Sequence, residues 1–253
     1  MQPYAIFLDI DGTLNYDRPT PSPANVRAVR DAQRAGHLVL LCTGRSMRCI
    51  PRETLAVGFD GVIAGGGADV RLGDRRLSRT CLSEEALRCV CRYYLPQDVA
   101  LVIEGEDDMF YMHEVGYRQP DWKEITAETD FSDRYAGAPI SKITADGQLA
   151  PEGRALLEPY FEVIQHPTYM EALPRGCCKS GGIRTVLEAT GIPRERAMGI
   201  GDSMNDADMI DYVGIGVAMG NACDELKKRA KHITLSSAED GVAAAIRRYI
   251  PGL

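Results

Sequence analysis

Short, unbroken apolar runs punctuate the first third of the chain. Ala5–Leu8, Leu38–Leu41 and Gly61–Ala64 each end in a polar or glycine-containing turn. Continuous apolar runs of this length read as strands buried on both faces, which is the habit of parallel sheets. A proline-rich loop (Pro19, Pro21, Pro23) follows the first strand and leads into a helix from about Ala24 to Ala35. Ser22 reads as its N-cap, Pro23 as its first helical residue and Gly36 as its stop. Val26, Val29, Ala32 and Gln33 fall at helical spacing.

The same alternation returns near the end of the chain. Ile183–Ala189 reads as a helix closed by Gly191 and Pro193, then Ala197–Ile200 as a strand and Asp206–Asp211 as a helix. Val213–Val217, Asp224–Arg229, His232–Leu235 and Ala238–Tyr249 continue as strand, helix, strand and helix. Between these halves the pattern changes. Leu87–Tyr94 reads as a helix with Ser83 as its N-cap, and Val99–Ile103 and Phe110–His113 as neighbouring strands. Ile140–Thr144 and Phe161–Gln165 read as further strands flanking a helix at Glu152–Pro159. The pattern predicts an α/β protein: a parallel-sheet core from residues 1–81 and 179–253, with an α+β domain, 82–178, inserted into it.

Composition narrows the function without naming it. The 253 residues are 45% apolar and 26% charged, with a net charge of −7. These proportions exclude a mainly disordered chain, and the acidic balance argues against a nucleic-acid partner held by a general basic field. An acidic protein that handles anions needs local positive charge, often a divalent metal. The eight cysteines show no C-x-x-C spacing, so they read as reduced thiols of a cytoplasmic protein. No apolar stretch approaches the roughly 20 residues of a membrane span, and no membrane partner is expected.

Four places carry chemistry. The first strand runs into Asp9-Ile10-Asp11-Gly12-Thr13-Leu14, two carboxylates crowded at the carboxyl end of a buried strand. Their mutual repulsion costs free energy that a cation would relieve, although an Asp-rich turn capping the strand is the plainer alternative. Thr43-Gly44-Arg45 ends the second strand, where a hydroxyl and backbone N–H groups can hold a phosphate oxygen. Lys179 opens a glycine-rich helix and can hold an anion there, or lie solvated. Gly201-Asp202-Ser203-Met204-Asn205-Asp206 again follows a strand and opens a helix. Its oxygen donors suit Mg²⁺; a capping box would explain Ser203 but not the flanking aspartates and the asparagine.

Taken in order, these segments resemble the four motifs of the haloacid dehalogenase-like phosphatases. The later run Val217-Ala218-Met219-Gly220-Asn221-Ala222, with Glu225, Lys227, Ala230 and Asp240-Gly241-Val242, is similar to the Cof-like subfamily. One departure is Gly65-Gly66-Gly67-Ala68, where those enzymes often carry Asn-Gly-Ala. The resemblance implies a Rossmann-like core with a cap domain that sets substrate choice. It implies Asp9 as nucleophile and Asp11 as general acid and base, with Mg²⁺ held by Asp9, the Asp11 carbonyl and Asp202. Thr43, Gly44, Lys179 and Asn205 would bind phosphate, and Asp206, Arg45 and Ser203 would support the site. The expected substrate is a small phosphorylated metabolite, a sugar phosphate first, hydrolysed by a monomer or weak homodimer. A sugar phosphomutase and a non-catalytic phospho-ligand-binding module are the alternatives. In the cap, His113, Tyr117, Arg118 and Trp122 are candidate pocket residues, and Glu104, Glu106, Asp107 and Asp108 read as a solvated hairpin tip.

Overall fold

The computed structural model describes residues 2–253, which form two compact units. One comprises the chain up to Arg45, Cys49–Arg79 and Cys178–Leu253; the other comprises Ser46–Arg48 and Thr80–Cys177.

The first unit opens with β1 (Ala5–Leu8), α1 (Pro23–Arg34), β2 (Leu38–Cys42), a short α2 (Arg52–Leu55) and β3 (Gly61–Ala64). A hairpin of β4 (Asp69–Leu72) and β5 (Arg75–Arg79) precedes the second unit. That unit runs α3 (Glu84–Tyr94), β6 (Leu101–Gly105), β7 (Met109–Met112), β8 (Lys123–Glu124), β9 (Ile140–Asp146), α4 (Pro151–Leu157), β10 (Phe161–Gln165) and β11 (Tyr169–Pro174). The first unit resumes with α5 (Lys179–Thr190), β12 (Ala197–Gly201), α6 (Ala207–Tyr212), β13 (Ile215–Ala218), α7 (Asp224–Arg229), β14 (His232–Ile233) and α8 (Gly241–Tyr249).

The eight strands of the first unit lie in the order β14-β13-β12-β1-β2-β3-β4-β5. Every residue of β1 is fully buried, as its unbroken apolar run requires. It pairs in parallel with β2 on one side (Leu8 against Leu41) and β12 on the other (Leu8 against Ile200). All three strands therefore end at the same sheet edge, the position where open α/β sheets bind ligands. Ser22 caps α1, accepting the N–H of Asn25 at 3.1 Å with Pro23 following it. The inward face of α1 carries Asn25, Ala28, Val29 and Ala32; Val26 and Gln33 are only half-buried. Buried Asn25 ties Leu14 to α8, donating to the Leu14 carbonyl at 3.3 Å and accepting the Ala243 N–H at 3.0 Å.

The parallel core sheet carries an antiparallel extension that the sequence pattern does not predict. β3 to β4 and β4 to β5 are antiparallel, the latter pair joined through Gly73 at φ +55°. Their sequence is charge-rich, with Arg71, Arg75, Arg76 and Arg79, and so gives no apolar signal. Charge on an edge strand guards it against pairing with other chains.

In the second unit the sheet order is β10-β11-β9-β6-β7-β8, antiparallel except for β7 with β8. One sheet face (Leu101, Ile103, Phe110, Ile143, Phe161, Ala172) and the apolar faces of α3 and α4 share one core. Glu104 corrects an expectation. It is not part of a solvated tip but is 5% exposed, accepts from Thr144 at 3.2 Å, and lies 3.7 Å from Lys142. Lys142 also pairs with Glu171, so the carboxylate sits in a buried ion cluster that sequence spacing does not reveal. Among the cap candidates, His113 hydrogen-bonds the Tyr94 carbonyl at 3.0 Å and Tyr117 packs edge-on against Trp122, partners within their own unit.

Candidate active site

The carboxyl ends of β1, β2 and β12 assemble the site. Asp9 extends β1, its N–H donating to the Ile200 carbonyl at 3.0 Å. Gly12 turns the chain with φ +76°, and a Cβ there would lie 2.4 Å from Asp202 Oδ2, so the turn closes on Asp202 only with glycine. Thr13 donates to Asp202 Oδ1 at 3.1 Å. Thr43, 1% exposed, follows β2, and its Oγ1 accepts the Arg45 N–H at 3.1 Å. The three-glycine turn after β3 braces this loop: Gly65 N–H donates to the Arg45 carbonyl at 2.7 Å and Gly66 N–H to the Thr43 carbonyl at 3.0 Å. Gly67 holds the start of α5 close, since a Cβ there would lie 2.3 Å from the Cys178 carbonyl oxygen.

Lys179 is the buried cation of the site, 3% exposed. Its Nζ donates to Asp9 Oδ1 at 2.7 Å and to Asp206 Oδ1. The other Asp206 oxygen accepts the N–H groups of Asp202, at 3.0 Å, and Ser203, at 3.1 Å. Ser203 and Asp206 thus form a capping box. It explains Asp206 as well as Ser203, which corrects the reading that capping could explain the serine alone. Ser203 Oγ also donates to Asn205 Oδ1 at 2.8 Å, and Asn205 Nδ2 lies 3.9 Å from where a Cβ on Gly44 would stand.

Burial and charge set the protonation of this cluster. Burial, helped by the carboxylates of Asp206 and Asp202 and opposed by Lys179, pushes the Asp9 carboxyl up to about 8. Burial and then Asp206 push Asp202 up to about 6, against the Thr13 hydrogen bond and Lys179. Burial works against charge on Lys179, but Asp206 and Asp9 outweigh it and hold the ammonium well above its ordinary value.

Asp9, Asp202 and Asp206 each offer an oxygen within 4.8 Å of the others. A divalent cation fits this set on its chemistry. The donors are all oxygen, and one buried lysine leaves the carboxylates short of positive charge. Both Asp206 oxygens are engaged by the chain, so Asp9 and Asp202 are the carboxylates with an oxygen to give. Asp11 lies apart from this cluster, its side chain 58% exposed and paired with Arg45.

The sequence profile of the haloacid dehalogenase-like hydrolases matches residues 6–246. The chain belongs to that family. Among curated members, YkrA of Bacillus subtilis (strain 168), a putative phosphatase by name, is 31% identical over 252 residues, covering 96% of each chain. The 5-amino-6-(5-phospho-D-ribitylamino)uracil phosphatase YcsE of the same organism is 30% identical, covering 97% of this chain and 95% of its own. A haloacid dehalogenase-like hydrolase structure from Bacteroides thetaiotaomicron superposes with a TM-score of 0.82 at 25% identity, covering 98% of this chain and 99% of that one. The expected fold class and hydrolase identity of this haloacid dehalogenase-like protein stand with these findings. No helix among the described residues is long and apolar enough to cross a membrane.

Three residues that sequence reasoning gave no role also hold this family member's site together. Asp208 accepts the Ser180 N–H at 2.7 Å and fixes the first turn of α5 beside Lys179. Asn221 donates to the Gly12 carbonyl at 2.8 Å and accepts the Ser237 N–H at 2.8 Å, clamping the turn after β1. Thr13 orients Asp202. The signal for Asp208 was its place two residues beyond Asp206, in the turn that opens α6.

Proposed function

We propose that this hydrolase is a Mg²⁺-dependent phosphatase of small phosphate monoesters, with phosphorylated sugars and sugar alcohols as its substrate class. The observation that carries the reading is Asp9, a buried carboxylate at the end of the central strand, held by Lys179 and facing Asp202. A carboxylate so placed is a nucleophile for phosphorus. An Asp9 oxygen attacks phosphorus and the bond to the leaving oxygen breaks, while Asp11 gives that oxygen a proton. Asp11, now a carboxylate, takes a proton from the water that attacks the acyl phosphate, releasing phosphate and restoring Asp9. Thr43, Gly44, Lys179 and Asn205 hold the non-bridging oxygens as charge gathers on them. Mg²⁺ bound by Asp9, Asp202 and the Asp11 carbonyl would offset the negative charge of nucleophile and phosphate.

The substrate class is supported by relatives named for a phosphorylated ribityl compound, YcsE and YitU, the latter 28% identical over 98% of both chains. In this reading residues 82–178 are the cap that selects the leaving group. A panel of sugar, polyol and aryl phosphates, scored for phosphate release with Mg²⁺ and with EDTA, tests it. Release from several sugar or polyol phosphates, lost in EDTA and restored by Mg²⁺, is expected. Isomerised sugar phosphate without free phosphate would instead identify a mutase.

A further inference from the structure

Both oxygens of the Asp11 carboxylate are held by one guanidinium. Arg45 Nε donates to Asp11 Oδ2 at 2.6 Å and Nη2 to Asp11 Oδ1 at 2.8 Å, while Nη1 donates to the Cys49 carbonyl at 2.9 Å. The backbone of Arg45 is pinned as well, through Thr43 Oγ1 and Gly65 N–H. The guanidinium is therefore fixed at its root and at its tip. The side chains are 38% and 58% exposed, and exposed ion pairs typically add little to stability, so the fork's geometry matters here more than its energy.

Proton transfer does need a placed carboxyl. An exposed aspartate on a glycine turn otherwise turns freely about its side-chain torsions. Forked pairing with arginine fixes a carboxylate in plane and in direction, which lysine cannot do. We propose that Arg45 is a positioning residue for the general acid and base. It aims the Asp11 carboxyl at the leaving oxygen as the ester bond breaks, then at the incoming water. One N–H···O bond of the fork lets go when that oxygen carries the proton, and the other keeps the direction. This role of Arg45 rests on the phosphatase reading.

The test compares kcat/KM for an alkyl ester, a sugar phosphate that the enzyme hydrolyses, and for p-nitrophenyl phosphate. The nitrophenolate leaves without a proton; the alkoxide does not. Asp11→Asn should cost the sugar phosphate about a hundredfold or more and the aryl ester far less. Arg45→Met should show the same selectivity, with a loss of about tenfold or more on the sugar phosphate and less than about threefold on the aryl ester. Arg45→Lys, which keeps the charge and guards against a misfolded Met variant, should recover little. Adding Arg45→Met to Asp11→Asn should cost nothing further, because Arg45 acts through Asp11. An equal loss on both esters, or a loss that adds to that of Asp11→Asn, overturns the inference and makes Arg45 a substrate-binding or structural residue. If Asp11→Asn itself shows no dependence on the leaving group, the phosphatase mechanism fails, and the role of Arg45 fails with it.

Discussion

Asp9 meets a conflict that only its partners resolve. Burial pushes its carboxyl from the ordinary value of 3.8 up to about 8 in the folded protein. Between these values the folded state holds a proton that the unfolded chain has lost, so this group's contribution to stability falls as pH rises from about 4 to about 8. One such proton sets a ceiling of about 1.4 kcal/mol per pH unit on the slope. In EDTA, the wild type should lose stability relative to Asp9→Asn as pH rises through that window, measured by urea unfolding. Mg²⁺ should flatten the slope by binding the ionised form. Gly12 makes a second prediction, because alanine there is strained at φ +76° and drives a Cβ into Asp202. Gly12→Ala should cost about 1–3 kcal/mol and weaken Mg²⁺ binding by calorimetry along with phosphate release. At this scale the sequence made the carboxylates, Thr43 and Lys179 legible, since each stands where a strand ends or a helix begins. The Arg45 fork was not legible, because it depends on side-chain torsions. Nor was the engagement of both Asp206 oxygens, which needs the folded loop after β12.

Helices and strands deliver these groups by close packing. A Cβ on Gly182 would lie 2.5 Å from Ile63 Cγ2, so glycine lets α5 sit against β3 and bring Lys179 to Asp9. Gly182→Ala should push α5 outward, lowering kcat/KM more than tenfold while the far-UV circular dichroism stays unchanged. In the second unit Ser83 caps α3, accepting the Ala86 N–H at 3.1 Å. Ser83→Ala should cost about 1 kcal/mol in urea unfolding and leave hydrolysis of p-nitrophenyl phosphate as it was. Legibility at this scale follows hydrophobicity. The strands β1, β2, β3 and β10 announce themselves as apolar runs or alternations. The β4–β5 hairpin is charge-rich, and β11 is interrupted by Glu171 and ends at Pro174, so neither stands out from a loop. His232–Leu235 shortens to two residues because β14 is the sheet's edge and Ile233 and Leu235 are exposed.

On the proposed reading, a chain with net charge −7 must concentrate its positive charge to hold phosphate. It does so at Lys179, buried among carboxylates, and at Arg45 on the neighbouring loop. The α/β pattern at both ends of the sequence, with a different pattern between, made the two-part architecture legible; the buried Glu104–Lys142–Glu171 cluster was not, because its partners come from three separate strands. In the proposed function, reactivity belongs to the first unit and selectivity to residues 82–178. Replacing that segment by a short linker should spare attack on p-nitrophenyl phosphate far more than discrimination among sugar phosphates, as a ratio of kcat/KM values would show.

In the proposed mechanism the phosphoryl group passes through a covalent bond to Asp9. Acid quenching of the Asp11→Asn enzyme during turnover of ³²P-labelled p-nitrophenyl phosphate tests this, since loss of the general base leaves the acyl phosphate to accumulate. The expected result is label bound stoichiometrically to protein, mapped by peptide mass analysis to the segment carrying Asp9, and absent when Asp9→Asn is added. Turnover with no protein-bound label, or label that persists in the Asp9→Asn variant, would contradict it.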